Sequence, residues 1–137
     1  MRKRLLRTRP VVLVADDDAA TRRAYRSYLL KVGCRVITAS DGEVAVTRAI
    51  EHLPDVVIMD LAMPKLDGWA ATRILKRRTT TSRIPVIALA GPNARHSAHA
   101  AGCDAYLSKP CQPDMLWCQI RMVLHDVGVM WGEMTRT

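Results

Sequence analysis

The sequence predicts an α/β domain, a doubly wound (βα)5 parallel sheet with helices on both faces. Three observations carry this. Short apolar runs recur at V-V-L-V (11–14), V-I-T-A (36–39), V-V-I-M (56–59), V-I-A-L (86–89) and A-Y-L (105–107). These runs are rich in β-branched residues and do not alternate with polar ones, the pattern of strands buried on both faces. The segments between them carry helical spacing, so strand and helix alternate five times with right-handed crossovers.

After the first strand, Asp18 suits a helix N-cap, and a helix over 18–32 places Ala24, Tyr28 and Val32 on one face. After the second, Ser40 and Glu43 have the spacing of a capping box before a helix bearing Ala45, Ala49 and Leu53. The third strand runs into Asp60, and Leu66, Ala70 and Ile74 line the helix beyond it. Ala94, Ala98 and Ala101 mark a short fourth helix closed by Gly102. Pro113 fits the first turn of the fifth, with Leu116, Ile120 and Val123 facing inward. A chain of 137 residues without repeat or linker suits one core. The expected division is a basic N-terminal tail over 1–9, a domain over 10–127 and a C-terminal tail over 128–137.

Composition narrows the class. Apolar content is an ordinary 49%, and no apolar run approaches the roughly 18 residues that cross a bilayer. The basic N-terminus lacks the apolar segment of a secretory signal. Cys34, Cys103, Cys111 and Cys118 form no C-x-x-C pair and read as reduced thiols of a cytoplasmic protein. The net charge of +8 allows a nucleic-acid or acidic partner. Five of the 21 basic residues lie in the first nine positions and another group in K-R-R-T-T-T-S-R (76–83), so charge alone defines no binding face.

The chemistry gathers behind the strands. In such a sheet, ligands bind at the strands' carboxyl ends where strand order reverses. Asp16 and Asp17 follow the first strand, Asp60 ends the third, and Lys109 follows the fifth in Y-L-S-K-P. Two carboxylates about 4 Å apart repel by roughly 1 kcal/mol in water and roughly 4 kcal/mol near a protein surface, so a bound cation relieves the cluster. Hard oxygen ligands without His or Cys suit Mg²⁺. A carboxylate at a strand end can attack phosphorus, with Mg²⁺ and a lysine neutralising the transferred group.

D-D at 16–17, M-D-L-A-M-P-K-L-D-G at 59–68 and S-K-P at 108–110 together closely resemble the receiver domain of two-component response regulators, over roughly residues 11 to 125. The resemblance implies a flavodoxin-like sheet in the order 2-1-3-4-5. It implies that Asp60 accepts a phosphoryl group from a histidine kinase or phosphotransfer protein. Asp16, Asp17, Asp60 and the backbone carbonyl of Ala62 would hold Mg²⁺. Lys109 would pair with the phosphoryl oxygens, with a cis peptide before Pro110, and Asp67-Gly68 would turn into the third helix.

One region departs from that pattern. The family places Ser or Thr at the end of the fourth strand, where this chain has Ala90. A hydrogen bond to a charged group is worth roughly 1.5–3 kcal/mol, much the size of a typical allosteric coupling of about 1–3 kcal/mol. Tyr106 holds the family's aromatic switch position without its usual trigger, and residues 91–101 are shorter than the family's segment by roughly one helical turn. The expectation is a phosphorylatable Asp60 with weakened conformational output.

Other signals are weaker. His96 and His99 lack a third metal ligand and read as a solvated face. Trp69 reads as helix packing, and Met63-Pro64 as shaping the loop after Asp60. Trp131 lies in an apolar C-terminal segment that either folds back or mediates dimerisation. The leading reading is a stand-alone receiver acting through protein partners, not an enzyme. The alternative is a pseudo-receiver, an interaction module not regulated by phosphate. Nucleic-acid binding ranks low because no recognised motif is present. An aspartyl phosphatase would need a second acid two residues beyond Asp60, where Ala62 stands.

Overall fold

The computed structural model describes residues 4–5, 9–126 and 129–130. Five parallel strands, β1 (Val11–Ala15), β2 (Arg35–Ala39), β3 (Val56–Asp60), β4 (Val86–Ala90) and β5 (Ala105–Ser108), form one sheet in the order 2-1-3-4-5. Each is followed by a helix: α1 (Ala19–Lys31), α2 (Gly42–His52), α3 (Gly68–Arg77), α4 (Arg95–Ala101) and α5 (Pro113–Asp126). This is the doubly wound, flavodoxin-like arrangement the sequence predicts. Two further segments, Arg4–Leu5 and Val129–Met130, pair with each other in parallel. Most of the expected tails, and Trp131, lie outside the described residues.

The sheet divides two apolar layers because successive side chains on a strand face opposite ways. Val12, Val14, Ile58 and Ile87 join Tyr25, Leu29, Leu116, Trp117 and Ile120 on the α1–α5 side. Leu13, Ala15, Val57 and Met59 join Ala45, Ala49, Ala71 and Leu75 on the other. β1, β3 and β4 are buried throughout, which is why their runs do not alternate.

Helix rotation departs from the sequence reading in two places. In α1 the buried pair is Tyr25 and Leu29; Tyr28 and Val32 are half-buried and Ala24 is exposed. Burying Tyr25 and Leu29 removes more apolar surface than burying Ala24, and the Tyr25 hydroxyl donates to the Cys111 carbonyl at 2.8 Å. In α3, Ala71, Thr72 and Leu75 are buried, whereas Leu66 precedes the helix, Ala70 is half-buried and Ile74 is 38% exposed. Gly68 sets that rotation, since a Cβ there would lie 2.3 Å from the Asp60 carbonyl oxygen.

Capping also differs for α2. Asp41, not Ser40, is the N-cap, accepting from the Val44 amide at 2.9 Å, and Leu53 forms a left-handed C-cap that leaves its side chain exposed. Asp18 caps α1 as expected, accepting from the Thr21 amide at 2.9 Å, and Asp67, in the turn into α3, also proves to be that helix's N-cap, accepting from the Ala70 amide at 2.8 Å. Gly102 closes α4 at φ 103°, and Leu116, Ile120 and Val123 of α5 are buried.

Candidate functional site

The order 2-1-3-4-5 reverses direction between β1 and β3, so the chain leaves their carboxyl ends toward opposite faces and opens a crevice there. Asp16 stands immediately after β1 and Asp60 is the last residue of β3. Ligand oxygens of Asp16, Asp17 and Asp60 all lie within 4.8 Å of one another. Lys109, just past β5, brings Nζ to 3.0 Å from Asp60 Oδ1 and 3.9 Å from Asp16 Oδ2. The peptide between Lys109 and Pro110 is cis. Four residues from three distant parts of the sequence thus share one pocket.

Asp16 and Asp60 are each 1% exposed, while Asp17 is exposed. Asp16 Oδ1 accepts from the Asp18 amide at 2.9 Å, and Asp60 Oδ1 accepts from the Ala62 amide at 3.1 Å. The second oxygen of each, Oδ2, is buried without a hydrogen-bond partner among the described residues. Such orphaned acceptors are costly unless something positive meets them. Burial raises the Asp16 pKa above the ordinary carboxylate value; the Asp60 charge pushes the same way, while the Asp18 amide and Lys109 oppose. Thr21 holds Asp18 below that value through its hydroxyl and amide, which fits a solvated cap. The all-oxygen donor set suits a hard divalent cation such as Mg²⁺.

Ala90 ends β4 and is nearly buried; its carbonyl accepts from the Lys109 amide at 2.8 Å, and its side chain is a methyl. The Tyr106 hydroxyl donates to the Gly91 carbonyl, and the Arg95 guanidinium lies 4.8 Å from the centre of its ring. His96 and His99 are exposed on α4. Trp69 packs against the apolar cluster on the α3 side.

Several contacts between elements were not legible in the sequence. Arg22 donates to the Asp16 carbonyl at 2.7 Å. Lys76 Nζ joins the Asp104 carboxylate and the Ile84 carbonyl, both at 2.8 Å, and Asp104 also accepts from the Val86 amide. These contacts cross between elements, and no local spacing signals them. For Gly68 the D-G dipeptide was a signal, but of a turn rather than of close approach to Asp60.

The family model for the response regulator receiver domain matches residues 12–121. Among curated relatives, a probable transcriptional regulator, ycf27, of Guillardia theta is 38% identical over 87% of this chain, which covers 47% of that protein. The chain therefore spans about half the length of such relatives. Protein PilG of Pseudomonas aeruginosa is 34% identical over 77% of the chain and 80% of its own length. Of solved structures, the chemotaxis response regulator CheY4 of Vibrio cholerae superposes with a TM-score of 0.79 at 27% identity, covering 84% of this chain and 98% of that one. The receiver domain of sensor histidine kinase PA1611 from Pseudomonas aeruginosa, with a magnesium ion coordinated in its active-site cleft, does so at 0.78 and 29%, covering 85% and 98%.

Proposed function

The chain belongs to the response regulator receiver domain family of two-component signalling, and from that premise we propose that Asp60 accepts a phosphoryl group from a histidine kinase or phosphotransfer protein. A carboxylate oxygen of Asp60 attacks the phosphorus of a phosphohistidine, forming the O–P bond as the N–P bond breaks and the imidazole leaves. Asp16, Asp17, Asp60 and the Ala62 backbone carbonyl would hold Mg²⁺, which offsets charge on the phosphoryl oxygens and the acid cluster. Lys109, already 3.0 Å from Asp60, would follow the new charge onto the phosphoryl oxygens.

The observation that carries this reading is the pair of buried oxygens on Asp16 and Asp60 that lack a hydrogen-bond partner among the described residues, beside the Lys109 ammonium. Output then runs through contact with a protein partner. In the test, acetyl phosphate and Mg²⁺ add a phosphoryl mass to the wild type and none to Asp60→Ala. Equal labelling of both proteins would sink the assignment.

A second reading, an interaction module not regulated by phosphate, is favoured by Ala90 alone. With no hydroxyl at the end of β4, the response of residues 84–110 to phosphorylation is expected to be weak. Beryllofluoride with Mg²⁺, followed by amide shifts, separates the cases. Binding with small shifts across 84–110 supports weak output, and large shifts there refute it. Absence of binding favours the second reading.

A further inference from the structure

The strands enter the sheet at its amino edge, opposite the acid pocket, and the helices, running back against them, end there too. That edge gathers basic residues from distant parts of the chain. Arg9 precedes β1, Arg35 opens β2 and Arg83 lies shortly before β4; Lys31 ends α1, Arg77 ends α3 and Arg78 is the C-cap of α3. All six are exposed, and no ion pair among the described residues engages any of them.

The acids at the same edge are turned inward or paired. Asp55 accepts from the Val11 amide at 2.7 Å, and Asp104 accepts from the Val86 amide and from Lys76, both at 2.8 Å. Glu51 lies 4.0 Å from His52. Other carboxylates gather at the opposite edge, in the acid pocket and at the N-caps Asp18, Asp41 and Asp67. The domain is therefore electrically polar, negative where the strands end and positive where they begin. Helix carboxyl ends favour nearby cations, which accounts for Lys31 and Arg77 but not for Arg9, Arg35 and Arg83, which lie outside helices.

We propose that this basic edge binds the phosphate backbone of duplex DNA without reading its sequence. Arg35 and Arg83 enter strands three spacings apart in the sheet order. At about 4.8 Å per spacing that is roughly 14 Å, close to the separation of the phosphate rows that border the roughly 12 Å major groove. Lys31 extends the patch on one face of the sheet, and Arg77 and Arg78 extend it on the other. Arginine bonds phosphate through paired N–H groups, and all of the six but Lys31 are arginine. The edge offers little else. Among the described residues its exposed large apolar side chains are Leu30 and Leu53, and no tyrosine or tryptophan is exposed. That is too little for the apolar centre of a protein interface, for anchors in a membrane surface, or for stacking single-stranded bases. DNA bound here leaves the acid pocket facing away and does not depend on Asp60 accepting phosphate.

The test is fluorescence anisotropy with the full chain and a labelled DNA duplex of mixed sequence at increasing salt. Wild-type affinity should fall about a thousandfold between about 50 and 200 mM salt, the loss for about six phosphate contacts. The triple variant Arg35→Ala, Arg78→Ala, Arg83→Ala should flatten the slope of log affinity against log salt by roughly 3, and Arg78→Gln alone by roughly 1. Arg95→Ala, at the start of α4 on the opposite edge, should leave the slope unchanged. Circular dichroism spectra matching the wild type confirm that each exposed substitution leaves the fold intact, and the single variant carries the test if the triple one does not fold. An unchanged slope in the edge variants, or an equal change in Arg95→Ala, overturns the proposal. So does tighter binding of single-stranded DNA, duplex RNA or phosphatidylserine vesicles than of the DNA duplex.

Discussion

Replacing Asp16 with asparagine should stabilise the metal-free protein and remove most of its response to Mg²⁺. Asp16 is 1% exposed, and its oxygens share a space within 4.8 Å of those of Asp17 and Asp60. At that separation and an effective dielectric near 20, each unit-charge pair repels by about 3.5 kcal/mol. Lys109 Nζ, 3.9 Å from Asp16 Oδ2, returns about 4 kcal/mol on the same scale. The attraction roughly cancels one of the two repulsions, leaving the other, weakened by solvent around the exposed Asp17, and the desolvation cost of a buried carboxylate. Asparagine keeps the acceptor for the Asp18 amide and removes the buried charge. A net gain of about 1–2 kcal/mol, or about 3–10 °C in Tm, is expected for a domain of this size. Because the Asp16 pKa is raised on folding, this group favours the folded state fully below its unfolded pKa and loses that contribution as pH rises through the folded value. The advantage of asparagine should therefore be largest at neutral pH and vanish in acid. Thermal unfolding in chelator and in millimolar Mg²⁺ measures both effects. A lower Tm for Asp16→Asn in chelator, or equal Mg²⁺ stabilisation of both proteins, would refute the reasoning.

Three further predictions follow from other parts of the fold. Gly68→Ala places a Cβ 2.3 Å from the Asp60 carbonyl oxygen and 2.6 Å from Leu61 Cα. Backbone cannot yield cheaply there, so a loss of about 1–3 kcal/mol on denaturant unfolding, with weakened Mg²⁺ binding, is expected. Burial pushes the Tyr25 pKa up to about 12. Its stabilising contribution, complete below the ordinary tyrosine value, should be lost between roughly pH 10 and 12 as the folded hydroxyl finally ionises, seen as a late phase in ultraviolet titration. Of the four cysteines, Cys118 is exposed and Cys111 half-buried, whereas Cys34 and Cys103 are buried. A thiol reagent should label Cys118 first and Cys111 more slowly, leaving Cys34 and Cys103 until the protein unfolds.

What the sequence determined by itself was whatever is written in local pattern. The uninterrupted apolar runs announced buried parallel strands, and alternation with helical spacing announced the doubly wound sheet. Acids placed immediately after the first and third strands, with a lysine after the fifth, announced a shared rim, because parallel strands in one sheet deliver their carboxyl ends to the same edge. Tertiary structure decided which face each helix buries. α1 turned toward Tyr25 and Leu29, and α3 toward Ala71 and Leu75, since the winning rotation depends on surfaces supplied by other elements. It also decided contacts between elements, from Arg22 on the Asp16 carbonyl beside the site to Lys76 spanning Asp104 and Ile84 at the amino ends of β4 and β5. Such contacts join residues with no fixed spacing, and their free energy exists only once packing has excluded water around them.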